Sequence, residues 1–362
     1  MRAAILEEFG KPFVVEEIDV LPPGPGDIIV RTSAAAYCIT DCVNQRGELG
    51  KQPPTVLGHS AVGTVQEVGS QVTDFRAGDR VLCGATPECR VCYWCVRGRP
   101  DQCAELFAAP GPLGTSASGL EVTTTAVGGY AEQLRIPAIW AFPLESERPD
   151  EQLSLLGCGI TSGLGAVFNI AGVRPGSSVA VLGCGHLGLW MVQAARYAGA
   201  VRVIAVEPLA ERRAVAGELG ATDLVDPAEA DPVEQVKALT AGRGADFVLE
   251  AAGRADAMEQ ALPMAHNTGV VVLTGVDTAA TTVTFPALEL AIHGRDIRQC
   301  QNGRVRMRRD VPRFLAMLDD GLGDPDRVIS TRCTLDEIND VRERCYTRRE
   351  LTPVIVPHGS EA

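Results

Sequence analysis

Ser178-Val179-Ala180-Val181-Leu182-Gly183-Cys184-Gly185-His186-Leu187-Gly188 leads from an uncharged strand-like run directly into a Gly-x-Gly-x-x-Gly turn. A helix-like stretch, Leu187 to Tyr197, follows at once, so the glycines fall between a buried strand and a helix. There they permit a tight turn, close approach of backbone to a pyrophosphate and close packing of helix on strand. The helix N-terminus adds free N–H groups and a partial positive charge. Gly183, Gly185, His186, Leu187 and Gly188 are therefore candidate contacts to a dinucleotide. Glu207 closes the next strand run, at the position where a carboxylate meets the adenosine ribose hydroxyls. A carboxylate repels a 2′-phosphate, so NAD is expected over NADP. Arg212 can reach toward the same ribose, whereas Arg213 reads equally as a solvated helix charge.

Working outward, strands and helices alternate. Val201 to Val206 is a strand, Leu209 to Leu219 a helix, and Phe247-Val248-Leu249 and Val270-Val271-Val272-Leu273 are strands again. Such alternation marks an α/β domain with a doubly wound parallel sheet and crossover helices, here over 161–299. Residues 1–160 are instead β-rich, with short apolar runs (Ile28-Ile29-Val30, Val62 to Val68, Val81-Leu82) separated by turn clusters such as Pro22-Pro23-Gly24-Pro25-Gly26. Residues 300–362 turn polar and irregular, with a helix around Val311 to Leu318, and are expected to rejoin the first domain.

At 362 residues and 46% apolar, the chain can build two packed domains. Its formal charge of -13 argues against nucleic acid or an anionic membrane as partner, and Arg304 to Arg309 reads as local surface charge. No apolar run approaches a membrane span, and Met1-Arg2-Ala3-Ala4-Ile5 lacks the apolar core of a leader, so a cytoplasmic protein is expected. In that compartment twelve cysteines point to metal or reduced thiols. Cys89, Cys92, Cys95 and Cys103 form a Cys-x2-Cys-x2-Cys-x7-Cys run in a lobe of about 84–104. Four thiolates so close can close a tetrahedral shell around one zinc with no open position, a structural rather than catalytic site.

Three further residues read as ligands of a second, open zinc: Cys38 in Tyr37-Cys38-Ile39-Thr40-Asp41, His59 in Gly58-His59-Ser60, and Cys158 in Gly157-Cys158-Gly159. Two thiolates and one imidazole leave a fourth position for water or substrate. Taken singly, each thiol reads as a small buried hydrophobe and the histidine as an ordinary core residue.

Together, these segments and Val127-Gly128-Gly129-Tyr130-Ala131-Glu132 resemble, in order and spacing, the zinc-containing medium-chain alcohol dehydrogenases over nearly the whole chain. The resemblance implies a GroES-like β-rich catalytic domain plus a Rossmann doubly wound coenzyme-binding domain, with the active site in the cleft between them. It implies an oxidoreductase that transfers hydride between an alcohol and NAD, with two zinc ions per chain. Cys38, His59 and Cys158 would hold the catalytic zinc. Thr40 would take the substrate proton, and Asp41 would orient His59. A small-molecule alcohol or carbonyl substrate and a homodimer or homotetramer also follow. The alternative is a specialised-metabolite reductase of the same fold, acting on a conjugated carbonyl.

Several positions depart from the family pattern. Ser60 follows the ligand histidine where most relatives carry glutamate, and Val43 stands where many have a proton-passing histidine. Ile39 and Thr352 replace basic residues at the pyrophosphate, a loss that Arg212, Arg254 or the Arg304 to Arg309 stretch could offset. Trp140 and Phe107 are candidate pocket-lining groups that read equally as packing residues.

Overall fold

The computed structural model describes residues 1–49, 52–84, 86–106, 108, 111–275, 278 and 280–359. The chain divides into two compact units: Met1–Cys158 with Arg306–Leu315 and Val328–Ala362, and Gly159–Val305 with Ala316–Arg327. The segment after residue 300 is thus divided between them.

The second unit is built on six parallel strands. Ser178–Leu182 lies in the middle, with Arg202–Val206 and then Asp223–Val225 on one side. Ala245–Glu250, Ala265–Leu273 and Asp296–Gln299 follow on the other side. This is the 3-2-1-4-5-6 order of the doubly wound dinucleotide fold, whose strand order reverses beside the first strand. The charge-free central strand is buried from Val179 onward because helices cover both faces. The helix expected from Leu187 runs over His186–Tyr197, with its face from Leu189 to Ala195 buried.

The first unit contains a closed barrel of Arg2–Leu6, Val14–Val20, Gly114–Ser116, Glu121–Thr124 and Thr55–Val56. Beside it lies a seven-stranded sheet centred on Asp27–Ala36, which pairs with Ala61–Val68 and Gln133–Pro137. Here the irregular reading of the tail needs correction. Ile329–Cys333 and Thr352–Ile355 are strands, and Ile338–Tyr346 is a helix. Thr352-Pro353-Val354-Ile355 carries a proline and looks like loop in isolation. It becomes a strand because Val354 and Ile355 pair with Ala36 and Ala35 of a strand more than 300 residues earlier. The helix expected around Val311 to Leu318 extends over Met307–Asp319. Trp140 is 3% exposed and packs in the core of this unit, which makes it a packing residue; Phe107 lies outside the described residues.

Candidate functional site: two cysteine-rich metal-type clusters and a glycine turn

Cys38 precedes the helix Ile39–Gln45, at the end of strand Asp27–Ala36. His59 lies in the short link before strand Ala61–Val68. Cys158 ends the turn Ser154–Gly157. The pairing of Asp27–Ala36 with Ala61–Val68 brings Cys38 and His59 together, and the Ser154–Gly157 turn packed on those strands adds Cys158, with the ligand atoms all within 4.8 Å of one another. His59 Nε2 lies 3.2 Å from Cys158 Sγ. Neighbouring ligands of a tetrahedral zinc with bonds of about 2.0–2.3 Å are separated by roughly 3.3–3.8 Å, so the spacing of this donor set fits zinc. All three are nearly buried, at 3%, 7% and 9% exposure.

Asp41 is fully buried behind them and accepts from four groups. Oδ1 faces the Gly58 N–H at 3.2 Å and His59 Nδ1 at 3.3 Å. Oδ2 accepts from the Cys38 N–H at 3.3 Å and the Tyr130 hydroxyl at 2.8 Å. With Nδ1 turned to the carboxylate, Nε2 is left for a metal. Burial opposes charge on the metal-free imidazole, but Asp41 and Cys38 together raise the His59 pKa well above its usual value. The neighbouring Cys38 thiol and burial push Cys158 up. Thiols crowded in a dry site ionise only beside a compensating cation. Gly58, at φ +97°, has no freedom to change: a Cβ would overlap Gly129 and the Tyr130 ring.

Thr40 is partly exposed on the first turn of the helix, and its hydroxyl accepts from Cys38 Sγ at 3.6 Å. Among the departures, Ile39 is 50% exposed and Val43 only 4%. The Ser60 hydroxyl donates to the Ser154 carbonyl and so ties the residue after His59 to the turn that carries Cys158. Thr352 is fully buried in its strand, opposite Ile329.

Cys89, Cys92, Cys95 and Cys103 form the other metal-type group among the described residues. Cys89 and Cys95 sulfurs are 3.8 Å apart, and the Cys92 and Cys95 amides donate to Cys89 and Cys92 sulfurs at 3.3 and 3.5 Å. Amides of Ala104 and Cys95 lower the Cys92 thiol to about 6, while burial raises Cys95. Backbone donors aimed at sulfur favour thiolates, the form that binds zinc.

In the second unit, Gly183 adopts φ +86°, and a Cβ there would press on Ala252 at 2.7 Å. A Cβ on Gly188 would strike the Gly183 carbonyl, and one on Gly185 would meet Arg212 Nη1 at 3.5 Å. Arg212 therefore lies beside the start of the helix that His186 and Leu187 open. Glu207 is 4% exposed; its Oε2 accepts from the Cys184 N–H at 2.7 Å and its Oε1 from the Leu209 N–H at 3.1 Å. Arg213 is no solvated charge: it donates to the Glu207 and Pro208 carbonyls and pairs with Asp226 at 2.7 Å. Arg254 pairs with Asp256 at 2.9 Å. Arg306, Arg308 and Arg309 are engaged by the Gly98 carbonyl, Asp74 and Asp310.

A parallel nucleotide-type sheet, a β-rich unit and a buried thiol–imidazole cluster together define a metal-dependent dehydrogenase class. Residues 24–146 match the alcohol dehydrogenase GroES-like domain and residues 187–320 the zinc-binding dehydrogenase domain. An S-(hydroxymethyl)glutathione dehydrogenase of Synechocystis sp. is 35% identical over 322 residues, 86% of this chain and 87% of that protein. The crystal structure of an alcohol dehydrogenase zinc-binding domain protein from Burkholderia ambifaria superposes with a TM-score of 0.93 at 30% identity, over 98% of both chains. A protein described as a zinc-binding dehydrogenase from Sinorhizobium meliloti 1021, solved with NADP, gives 0.83 at 30% identity, over 98% of this chain and 99% of that one. The chain belongs to the zinc-containing medium-chain alcohol dehydrogenase family. It is an oxidoreductase that interconverts small-molecule alcohols and carbonyl compounds with zinc. Among the described residues no single helix is long and apolar enough to cross a membrane.

Proposed function

We propose that the protein oxidises an alcohol to an aldehyde or ketone, reversibly, with NAD and two zinc ions per chain. The convergence of Cys38, His59 and Cys158, with Asp41 on the far nitrogen of His59, carries this reading. When bound there, zinc supplies Lewis-acid polarisation of a substrate oxygen, and the nicotinamide exchanges the hydride. The chain's own residues do the rest. Asp41 holds the His59 tautomer and aims Nε2 into the cluster. The Thr40 hydroxyl, beside Cys38, takes the substrate proton in oxidation and returns it in reduction. Val43 is buried and apolar, so it offers no group to pass that proton onward. Gly183, Gly185 and Gly188 with the helix start would receive the pyrophosphate; Arg212, beside Gly185, and Arg254, which precedes helix Ala255–Met264, would serve the nucleotide as its cations.

Incubating the pure protein with NAD and a panel of alcohols, then with NADH and a panel of enals, tests the reading. Alcohol oxidation is the expected result, and activity confined to conjugated carbonyls would replace it with the reductase alternative. Metal analysis of protein prepared without chelator should return two zinc ions per chain. Cys92→Ser should lower the count to one and depress melting temperature and solubility, because a closed zinc site contributes its binding energy directly to folding. An unchanged count or an unchanged melting temperature would remove the structural assignment.

NAD is proposed over NADP because Glu207 directly follows strand Arg202–Val206, the position from which a carboxylate would repel a 2′-phosphate. Poorly solvated like charges at close range cost about 2.7 kcal/mol, roughly a hundredfold in affinity. Glu207→Ala should narrow the NAD/NADP ratio of kcat/KM by about that factor. It should also raise KM for NAD, since the Cys184 and Leu209 amides lose their acceptor. Equal use of both cofactors by the unmodified protein would overturn the assignment.

The same reading includes a cytoplasmic protein, none of whose twelve cysteines is in a disulfide, and a homodimer or homotetramer. Strand Asp296–Gln299 ends the six-stranded sheet, and the nearby Leu288 and Ile292 are more than 60% exposed. Light scattering on the purified protein reads the subunit number.

A further inference from the structure

Tyr130 lies in none of the ligand segments and is 89 residues from Asp41, yet its hydroxyl donates to Asp41 Oδ2 at 2.8 Å. Its ring is accounted for by packing: it stacks on Tyr37 at 5.1 Å and 6°, and meets Phe13 edge-on at 6.3 Å and 83°. Packing alone would serve a phenylalanine as well. The hydroxyl has a separate geometric consequence. A buried carboxylate can turn about its last bond, and only one orientation presents Oδ1 to both the Gly58 N–H and His59 Nδ1. The Cys38 amide and the Tyr130 hydroxyl engage Oδ2 from the opposite side and set that orientation. The absent side chain of Gly58 lets the Tyr130 ring lie against the residue before His59. The phenol, the carboxylate and the imidazole thus form one chain of contacts ending at the thiol cluster.

We infer that Tyr130 is a positioning residue for the catalytic zinc: its hydroxyl locks Asp41, and through it His59, in the orientation that binds the metal. The inference rests on the proposed ligand set of Cys38, His59 and Cys158. Groups that orient a ligand histidine from behind typically change metal affinity by about 10–100-fold when removed.

Tyr130→Phe deletes one buried oxygen and keeps the ring. Zinc affinity is measured by competition with a chromogenic chelator, for the full chain loaded with both ions. The expected result is a loss of about 10–100-fold at one of the two zinc sites and no change at the other. The cobalt-substituted protein should show a shifted ligand-field band for the weakened site. Tyr37→Phe removes a neighbouring buried hydroxyl that touches Cys42 Sγ at 3.8 Å rather than Asp41, and should leave both affinities unchanged. In an Asp41→Asn background, Tyr130→Phe should add nothing, because the group it orients is already altered. Unchanged affinities and an unshifted cobalt band in Tyr130→Phe would overturn the inference. So would an equal loss in Tyr37→Phe, or full additivity with Asp41→Asn. A starting protein that holds fewer than two ions would instead overturn the two-zinc reading itself, and this inference with it.

Discussion

Replacing His59 by alanine should abolish turnover while leaving the fold and one zinc ion in place. His59 supplies the only nitrogen in a donor set otherwise made of two sulfurs, and its other face is occupied by Asp41. Without the imidazole, two thiols are too few to hold the ion, and with no cation beside them they revert to their protonated form. The polarisation that a catalytic metal provides contributes several kcal/mol, or about three orders of magnitude in rate at the least. The Cys89–Cys103 group makes its contacts through its own sulfurs and amides and should keep its ion. Metal content is therefore expected to fall from two to one, with kcat at background and a largely preserved circular dichroism spectrum. A variant that kept both ions and near-native activity would show that the open site lies elsewhere.

The second large effect is expected at Thr40. Valine matches threonine closely in volume and removes only the oxygen that is 3.6 Å from Cys38 Sγ. General acid–base groups contribute about 10²–10⁴-fold, and the buried Val43 offers no substitute. Thr40→Val should therefore lower kcat/KM for alcohol oxidation by at least about a hundredfold, or ~2.7 kcal/mol. Zinc content should not change, since no ligand is touched. Thr40→Ser keeps a hydroxyl at the same carbon and should restore most of the rate. Near-native activity in Thr40→Val would take the proton relay away from Thr40 and favour the reductase reading.

The spacing of cysteines and glycines made part of this site legible without any structure, because those features are local. Four sulfurs within fifteen residues cannot stray far from one another, so the run from Cys89 to Cys103 announces a metal lobe by chain reach alone. Likewise, the uncharged run from Ser178 to Leu182 followed by three glycines defines a strand, a turn and a helix start within eleven residues. Cys38, His59 and Cys158 are different. They are dispersed over more than a hundred residues, and it was their resemblance to a family pattern, not their spacing, that singled them out.

What the sequence determined by itself was periodicity and punctuation: which stretches are strands or helices, where the backbone must turn, and which short clusters can hold a metal. It also specified charge, hence the classes of partner that a chain of net -13 disfavours. Tertiary structure decided everything that depends on long-range register. It made a strand of Thr352–Ile355 by pairing it with residues Ala35 and Ala36. It made Arg213, which read equally as a solvated charge, a brace for the loop after Glu207, and it gave Arg306 and Arg308 partners in Gly98 and Asp74, more than 200 residues away. It also joined Ser60 to Ser154 and Tyr130 to Asp41, contacts between segments separated by 94 and 89 residues. For the Ser60 hydroxyl and the Asp41 carboxylate the physical reason is the same. A buried polar group must find a partner once water is excluded, and for these two the partner is supplied by tertiary packing rather than by neighbours along the chain.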